Sequence, residues 1–314
     1  MTGSAHLEMG EGGEFDVIRR LLATWGAQAT GIGDDAAVLD LPAGEQLVVS
    51  TDASIERVHF RREWMTAVEV GARAAAAALS DLAAMGATPR GLLLALGVPD
   101  GWRGELDALA QGVGAVASAA GCPIIGGNIS AAGELSLTIT ALGSARRPLV
   151  RSGARAGDTM FVTGRLGGSG AALASLLAGR PPAPEHRSKF VAPMPRLREG
   201  RWLAEHGARA AIDISDGLVA DASHLARASD VSLVLDDEII PRATGVSIAE
   251  ALVSGEEYEL LVATPPGADI RPDVFERLFG VSLTAIGSAV APGERPVMMR
   301  MGAARGAPGH DHFA

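Results

Sequence analysis

Apolar residues recur along this chain with two alternating periods, which predict a succession of short helices and strands. Phe15, Ile18, Leu22 and Trp25 fall every three to four residues, so 14–25 reads as an amphipathic helix stopped by Gly26. Residues 31–39 read as a turn entering a short strand at Val38 and Leu39. A second strand, 47–50, runs directly into Thr51 and Asp52. The Ala-rich stretch 64–85 predicts a long helix, ended by Gly86 with Pro89 beyond. A strand over 92–98 follows, then a helix marked by Trp102, Leu106, Leu109, Val113 and Val116. Residues 123–125 predict a short buried strand opening into Gly126-Gly127-Asn128, and Leu135, Leu137 and Ile139 alternate as a half-buried strand does.

The stretch 143–158 is rich in Gly and Arg and reads as a joint. Beyond it the pattern restarts with a strand at 159–163, a Gly-rich segment at 164–170 and a helix to Leu177. A Pro-rich loop occupies 179–184, with Lys189 in loop beyond it. Helices at 196–205 and 218–228 alternate with strands at 211–214, 232–235, 258–263 and 283–286, and the tail is irregular. The simplest parse is a mixed α/β protein with a tail over 1–13, an N-terminal α/β domain over 14–148 and a C-terminal one over 149–314.

Composition narrows the classes. Lys and Arg number 27 against 37 Asp and Glu, a net charge of −10, so there is no basic excess to coat nucleic acid. No run of 18 apolar residues predicts a membrane span, and the acidic, Gly-rich start lacks an apolar signal segment. The expected location is cytoplasmic. A single cysteine, Cys122, excludes an intrachain disulfide and a thiolate zinc site, and reads as a small buried hydrophobe.

One local pattern repeats: Asp beside Gly, Ser or Thr at the end of an element. It occurs as Gly33-Asp34-Asp35, Ser50-Thr51-Asp52, Ser80-Asp81 and Asp213-Ile214-Ser215-Asp216-Gly217, with Asn replacing the acid in Gly126-Gly127-Asn128. Such residues also make helix caps and turns. Crowded carboxylates, however, call for compensating positive charge, and oxygen-rich clusters suit Mg²⁺. Carboxylate-held Mg²⁺ in turn suggests phosphate, which Gly126-Gly127 and the 164–170 segment could wrap with backbone N–H groups. Arg151 and Arg155 are further phosphate candidates. No Walker loop, dinucleotide-binding glycine fingerprint or Gly-x-Ser-x-Gly elbow is present. His59-Phe60 could flank a flat substrate ring or simply pack, and Glu256, Glu257 and Glu259 crowd the entry to a strand.

These motifs carry a resemblance. Ile32-Gly33-Asp34-Asp35, Ser50-Thr51-Asp52 with His59-Phe60, Ser80-Asp81-Leu82-Ala83-Ala84-Met85-Gly86, Asp213-Ile214-Ser215-Asp216-Gly217, Gly255-Glu256-Glu257-Tyr258-Glu259 and the ending Asp311-His312-Phe313 resemble the thiamine-monophosphate kinases. That family lies in the superfamily of aminoimidazole ribonucleotide synthetase and selenophosphate synthetase. The resemblance implies transfer of the ATP γ-phosphoryl group to thiamine phosphate with several Mg²⁺ ions, and leaves a role for K⁺ open. It implies metal ligands among Asp34, Asp35, Ser50, Thr51, Asp52, Asp81, Asn128, Asp213 and Asp216. It places Gly127, Asn128, Arg151 and Ser215 near the nucleotide, and His59, one of Glu256 or Glu257, and His310 near thiamine phosphate. It implies the aminoimidazole ribonucleotide synthetase fold and a homodimer whose N-terminal domains pair into a barrel. No base is expected, because the acceptor is an already ionised phosphate oxygen.

The chain departs from the family pattern in places. Asn128 stands where an Asp is common, Gln111 where an aromatic is expected, His310 where another aromatic is expected, and Glu257 where Asp is common. The alternatives are another ATP-dependent enzyme of the superfamily with a different acceptor, and a non-catalytic nucleotide-binding scaffold. Against the first, no Cys or Lys precedes Cys122. Against the second stand the retained Asp81, Asp213 and Asp216.

Overall fold

The strand pattern of the first half builds one four-stranded sheet. The computed structural model describes residues 13–33 and 35–300. Asp34, His310 and the Asp311-His312-Phe313 ending lie outside the described residues. The chain divides into two units, one of residues 1–82 with 88–146 and the other of 83–87 with 147–314.

The first unit contains α1 (Gly13–Trp25), β1 (Gln46–Ile55), α2 (Ala67–Ala84), β2 (Thr88–Val98), α3 (Leu106–Ala120), β3 (Ile124–Ala131) and β4 (Ser136–Ala145). The sheet order is β1-β4-β2-β3. β4 runs antiparallel to both β1 and β2, whereas β2 and β3 are parallel and joined through α3. Small residues let the layers approach: Ala74, Ala75, Ala76 and Ala78 of α2 are all buried, and Leu79 and Leu82 fill the space beside them. α2 and α3 notch into each other. A Cβ on Gly71 would lie 2.1 Å from the Leu109 carbonyl oxygen, and one on Gly112 would lie 2.0 Å from that of Val68. Trp25 ties α1 to α3 by donating from its indole N–H to the Ala110 carbonyl at 2.9 Å.

The second unit contains β5 (Thr159–Thr163), α4 (Gly168–Leu177), α5 (Pro184–Val191), α6 (Leu197–Glu205), β6 (Ala210–Asp213), α7 (Leu218–Ser229), β7 (Ser232–Leu235), α8 (Ile248–Val253), β8 (Leu260–Thr264), α9 (Pro272–Phe279), β9 (Leu283–Val290) and β10 (Val297–Met299). Its sheet runs β10-β7-β9-β5-β8-β6, antiparallel except between β10 and β7. Met160, Val162, Ile212, Ile214, Leu225, Leu233, Leu261 and Ile286 form its core. No helix among the described residues is long and apolar enough to cross a membrane.

Several expectations need correction. The N-terminal sheets were expected to pair into a barrel. Instead neither sheet closes: β1 and β3 remain open edges of one, β10 and β6 of the other. No strand forms at Val38, which is 90% exposed; two apolar residues followed by the turn at Pro42 are too few to hold a ladder. β3 does not stop before Gly126-Gly127 but continues through them to Ala131, so they are strand and not loop. Lys189 sits in α5, which begins with Pro184 in its first turn, where a missing N–H costs nothing. α8, α9 and β10 are additional short elements; α8 starts with a reciprocal Ser247–Glu250 capping box.

Candidate active site

The period of two along β1 sorts its Ser-Thr-Asp triplet. Ser50 and Asp52 share the face of the buried Val48, whereas Thr51 points to the exposed face, its hydroxyl 3.0 Å from that of Thr140. From the inner face the Ser50 hydroxyl donates to the Asp81 carboxylate on α2. Donating its proton inward leaves the Ser50 oxygen lone pairs available to a cation. Asp35 is exposed in the irregular segment before β1.

Asn128 does not join this group within its unit. It pairs with Ala95, Ala95 with Thr138, and Thr138 with Ala53, three strand spacings from β1, or roughly 14 Å. Residues in register share a face, so Asn128 lies with Ala53 and Thr51, opposite Ser50 and Asp52. Gly127 is required sterically, since a Cβ there would lie 2.1 Å from the Leu94 carbonyl oxygen.

His59 and Phe60 separate in role. Phe60 is 3% exposed and meets Trp102 edge to face at 6.3 Å, so it packs. His59 is half-buried, and its Nδ1 accepts the Ile55 N–H at 3.1 Å. A backbone N–H can only donate, so Nδ1 carries the lone pair, and a neutral ring carries its proton on Nε2.

In the second unit, β6 ends at Asp213, only 4% exposed, and the chain turns through Ser215 and Asp216 into α7. Gly217, at φ 111°, makes the turn; a Cβ there would strike the Val253 backbone. Asp221, one turn into α7, accepts the N–H groups of both Ser215 and Asp216 at 3.0 Å. Burial pushes the Asp221 carboxyl up to about 7, aided by the negative charges of Asp216 and Asp213 and opposed by the two N–H donors. This residue was not singled out from sequence; the signal was an Asp four residues beyond Gly217, on the first turn of a helix.

The acidic segment 254–259 packs on this turn. Glu256 donates its N–H to the Ser215 carbonyl at 2.7 Å, while Glu257 and Tyr258 donate theirs to that of Ile214 at 3.1 and 2.9 Å. Glu256 and Tyr258 hold φ of 54° and 51°, conformations that non-glycine residues adopt sparingly and that cluster at functional sites. The three acids differ sharply. Glu257 is buried, and its Oε1 accepts the Gly167 and Ser169 N–H groups and the Ser254 hydroxyl. Burial raises its carboxyl above the usual range, against the charge of Lys189. Glu259 is also buried; burial alone would raise it, but Lys189 and Arg196 together hold it below the ordinary range. The chain's single lysine is therefore committed to an internal ion pair. Only Glu256, half-exposed, keeps a side chain at the surface of the turn. Arg151 is exposed in a 3₁₀ turn whose carbonyl accepts the Ser229 hydroxyl, and Arg155 is likewise exposed.

The donor set fits Mg²⁺. The acids stand with a hydroxyl at Ser50–Asp81 and crowd one another at Asp213, Asp216 and Asp221, an oxygen-rich set without sulfur. Among the described residues no three His, Cys, Asp or Glu side chains form a ready-made metal cage. Mg²⁺ needs none, because it binds through one or two carboxylates and fills its shell with water and substrate phosphates.

Residues 33–145 match the family model described as AIR synthase related protein, N-terminal domain, and residues 155–297 match that of the C-terminal domain. The thiamine-monophosphate kinase of Synechococcus elongatus is 39% identical over 251 residues, 74% of this chain and 77% of the relative. That of Salmonella typhimurium is 35% identical over 96% of this chain and 98% of the relative. The crystal structure of the thiamine-monophosphate kinase from Stenotrophomonas maltophilia superposes with a TM-score of 0.82 at 33% identity, over 93% of this chain and 98% of that one. With both domains matched and near full-length identity above 30%, the chain belongs to the thiamine-monophosphate kinase family.

Proposed function

We propose that this chain transfers the γ-phosphoryl group of ATP to thiamine phosphate, giving thiamine diphosphate and ADP, with Mg²⁺ held by its acidic motifs. The observation that carries the site assignment is the Ser50 hydroxyl on the Asp81 carboxylate in the first unit, with the Ser215 and Asp216 N–H groups gathered onto Asp221 in the acidic turn of the second. Asp52 and Asp81 with Ser50, and Asp213 with Asp216, are the proposed metal ligands, and Asp35 is a further candidate. Bound there, Mg²⁺ would neutralise phosphoryl oxygens and align them for in-line transfer. The chain's own residues supply position and charge. Ser215 presents its hydroxyl beside Asp216, and Arg151 is an exposed guanidinium suited to a phosphate chain. His59 offers an Nε2–H donor to a phosphate oxygen, and Glu256 offers a carboxylate toward the cationic thiazolium of thiamine phosphate. Glu257 braces the start of α4 and leaves the substrate contact to Glu256.

The same reading carries a homodimer. Leu47 and Val49 on the outer face of β1 are 51% and 53% exposed, an apolar edge that a second copy would cover. The site assignment is tested by Asp81→Asn and Asp213→Asn. Each is expected to lower turnover by at least about 100-fold at limiting Mg²⁺, with the fold intact by circular dichroism. Near-normal turnover in both would make the acid motifs structural.

A further inference from the structure

Internal partners hold much of the backbone of the Asp213–Gly217 turn, and one side chain supplies two of them. The Ile214 N–H donates to the Glu259 carbonyl at 2.8 Å. The Ile214 carbonyl accepts from Glu257 and Tyr258, the Ser215 carbonyl from Glu256, and the Gly217 carbonyl from the Asp221 N–H. The N–H groups of Ser215 and Asp216 both end on Asp221 Oδ2. Drawn onto Asp221, these two N–H groups are turned away from a ligand, and the oxygen-bearing side chains of Asp213, Ser215 and Asp216 are the turn's candidate cation donors.

We propose that Asp221 is a positioning residue: its buried carboxylate gathers the Ser215 and Asp216 N–H groups inward and so turns the side chains of Ser215 and Asp216 toward metal and nucleotide. This rests on the proposed function for the identity of the ligands. It assigns to Asp221 no contact with them. Two N–H donors on one oxygen form a tight pivot, and residues behind the ligands of a metal site set the ligands' direction. Removing the acceptor would leave two part-buried N–H groups unpaired and free the turn to rotate.

Asp221→Asn keeps an oxygen that can accept both N–H groups, and Asp221→Ala keeps none. Full-length protein of each kind is compared in three ways: amide exchange of the 213–217 segment, Mn²⁺ binding by electron paramagnetic resonance without substrates, and the Mg²⁺ dependence of turnover. In the Ala variant the Ser215 and Asp216 amides are expected to exchange faster, and metal affinity to fall about 10- to 100-fold. The Asn variant is expected to stay within about threefold of the parent in metal affinity. Unchanged exchange in the Ala variant, or faster exchange with unchanged metal affinity, would overturn the assignment. Equal loss in Asn and Ala variants would also overturn it, by making the charge itself the ligand. If the Ala variant does not fold, the Asn variant decides alone: retention supports positioning, and a loss beyond tenfold contradicts it. The exchange and Mn²⁺ measurements need no thiamine phosphate, so a parent protein without kinase turnover would refute the function and still leave Asp221 decided.

Discussion

Asp221 and Glu259 are both buried acids, yet their surroundings shift them in opposite directions, and each shift has a measurable consequence. The Asp221 carboxyl holds its proton to about pH 7 in the folded, metal-free protein, against 3.8 for an unperturbed Asp. Its contribution to stability is therefore complete below the unfolded value and is lost as pH rises toward 7. The difference of about three units corresponds to roughly 4 kcal/mol at most. Replacing Asp221 by Asn removes this dependence. Without metal, the melting temperature of the Asn variant relative to the parent is expected to climb as pH goes from 5 to 8, and a flat difference would show that Asp221 does not titrate there. Glu259 behaves otherwise. It is an ionised group bound by Lys189 and by two nitrogens of Arg196, at 2.7 and 2.6 Å for the latter. Glu259→Gln removes the main counter-charge of two cations whose side chains are only 20% and 14% exposed, leaving Arg196 with Glu199 alone, and is expected to cost about 3–5 kcal/mol in urea unfolding. A cost below about 1 kcal/mol would mean that water already solvates those cations.

At the scale of elements, α2 and α3 pack closely, with Gly71 and Gly112 bringing backbone against backbone. Gly71→Ala or Gly112→Ala forces the helices apart and is expected to cost about 1–3 kcal/mol or more. Gly104→Ala, with open space around it, serves as the control and should shift the unfolding midpoint little. Equal effects at all three positions would place the cost in propensity rather than packing. The same scale shows what the sequence reveals of the fold. Long periodic segments such as α2, β2 and α3 declare themselves, because three or more apolar residues repeat on one face. α5 and α8 are too short to repeat, and depend on Pro184 and the Ser247–Glu250 box for their starts. Motif residues are legible as types but not as directions. Ser50, Thr51 and Asp52 look alike in sequence, and only the pleat of β1 sends Thr51 to the other face. Asp221 and the pairing of Lys189 escape notice because their partners, the Ser215 backbone and Glu259, lie outside their own helices.

For the molecule as a whole, family membership and the acid motifs support phosphoryl transfer through charge neutralisation, with no activated side-chain nucleophile. The proposed homodimer belongs to this scale too. Light scattering at micromolar concentration is expected to give twice the chain mass, and Leu47→Glu with Val49→Glu to give one chain mass with the fold retained; a monomeric parent would contradict it. The most direct measurement follows both products of the full-length protein supplied with ATP, Mg²⁺ and thiamine phosphate. Phosphorus-31 resonance should show thiamine diphosphate and ADP appearing in equal amounts, with neither formed when thiamine phosphate or Mg²⁺ is left out. ADP released at the same rate without thiamine phosphate, or no diphosphate formed at saturating ATP and Mg²⁺, would contradict the assignment.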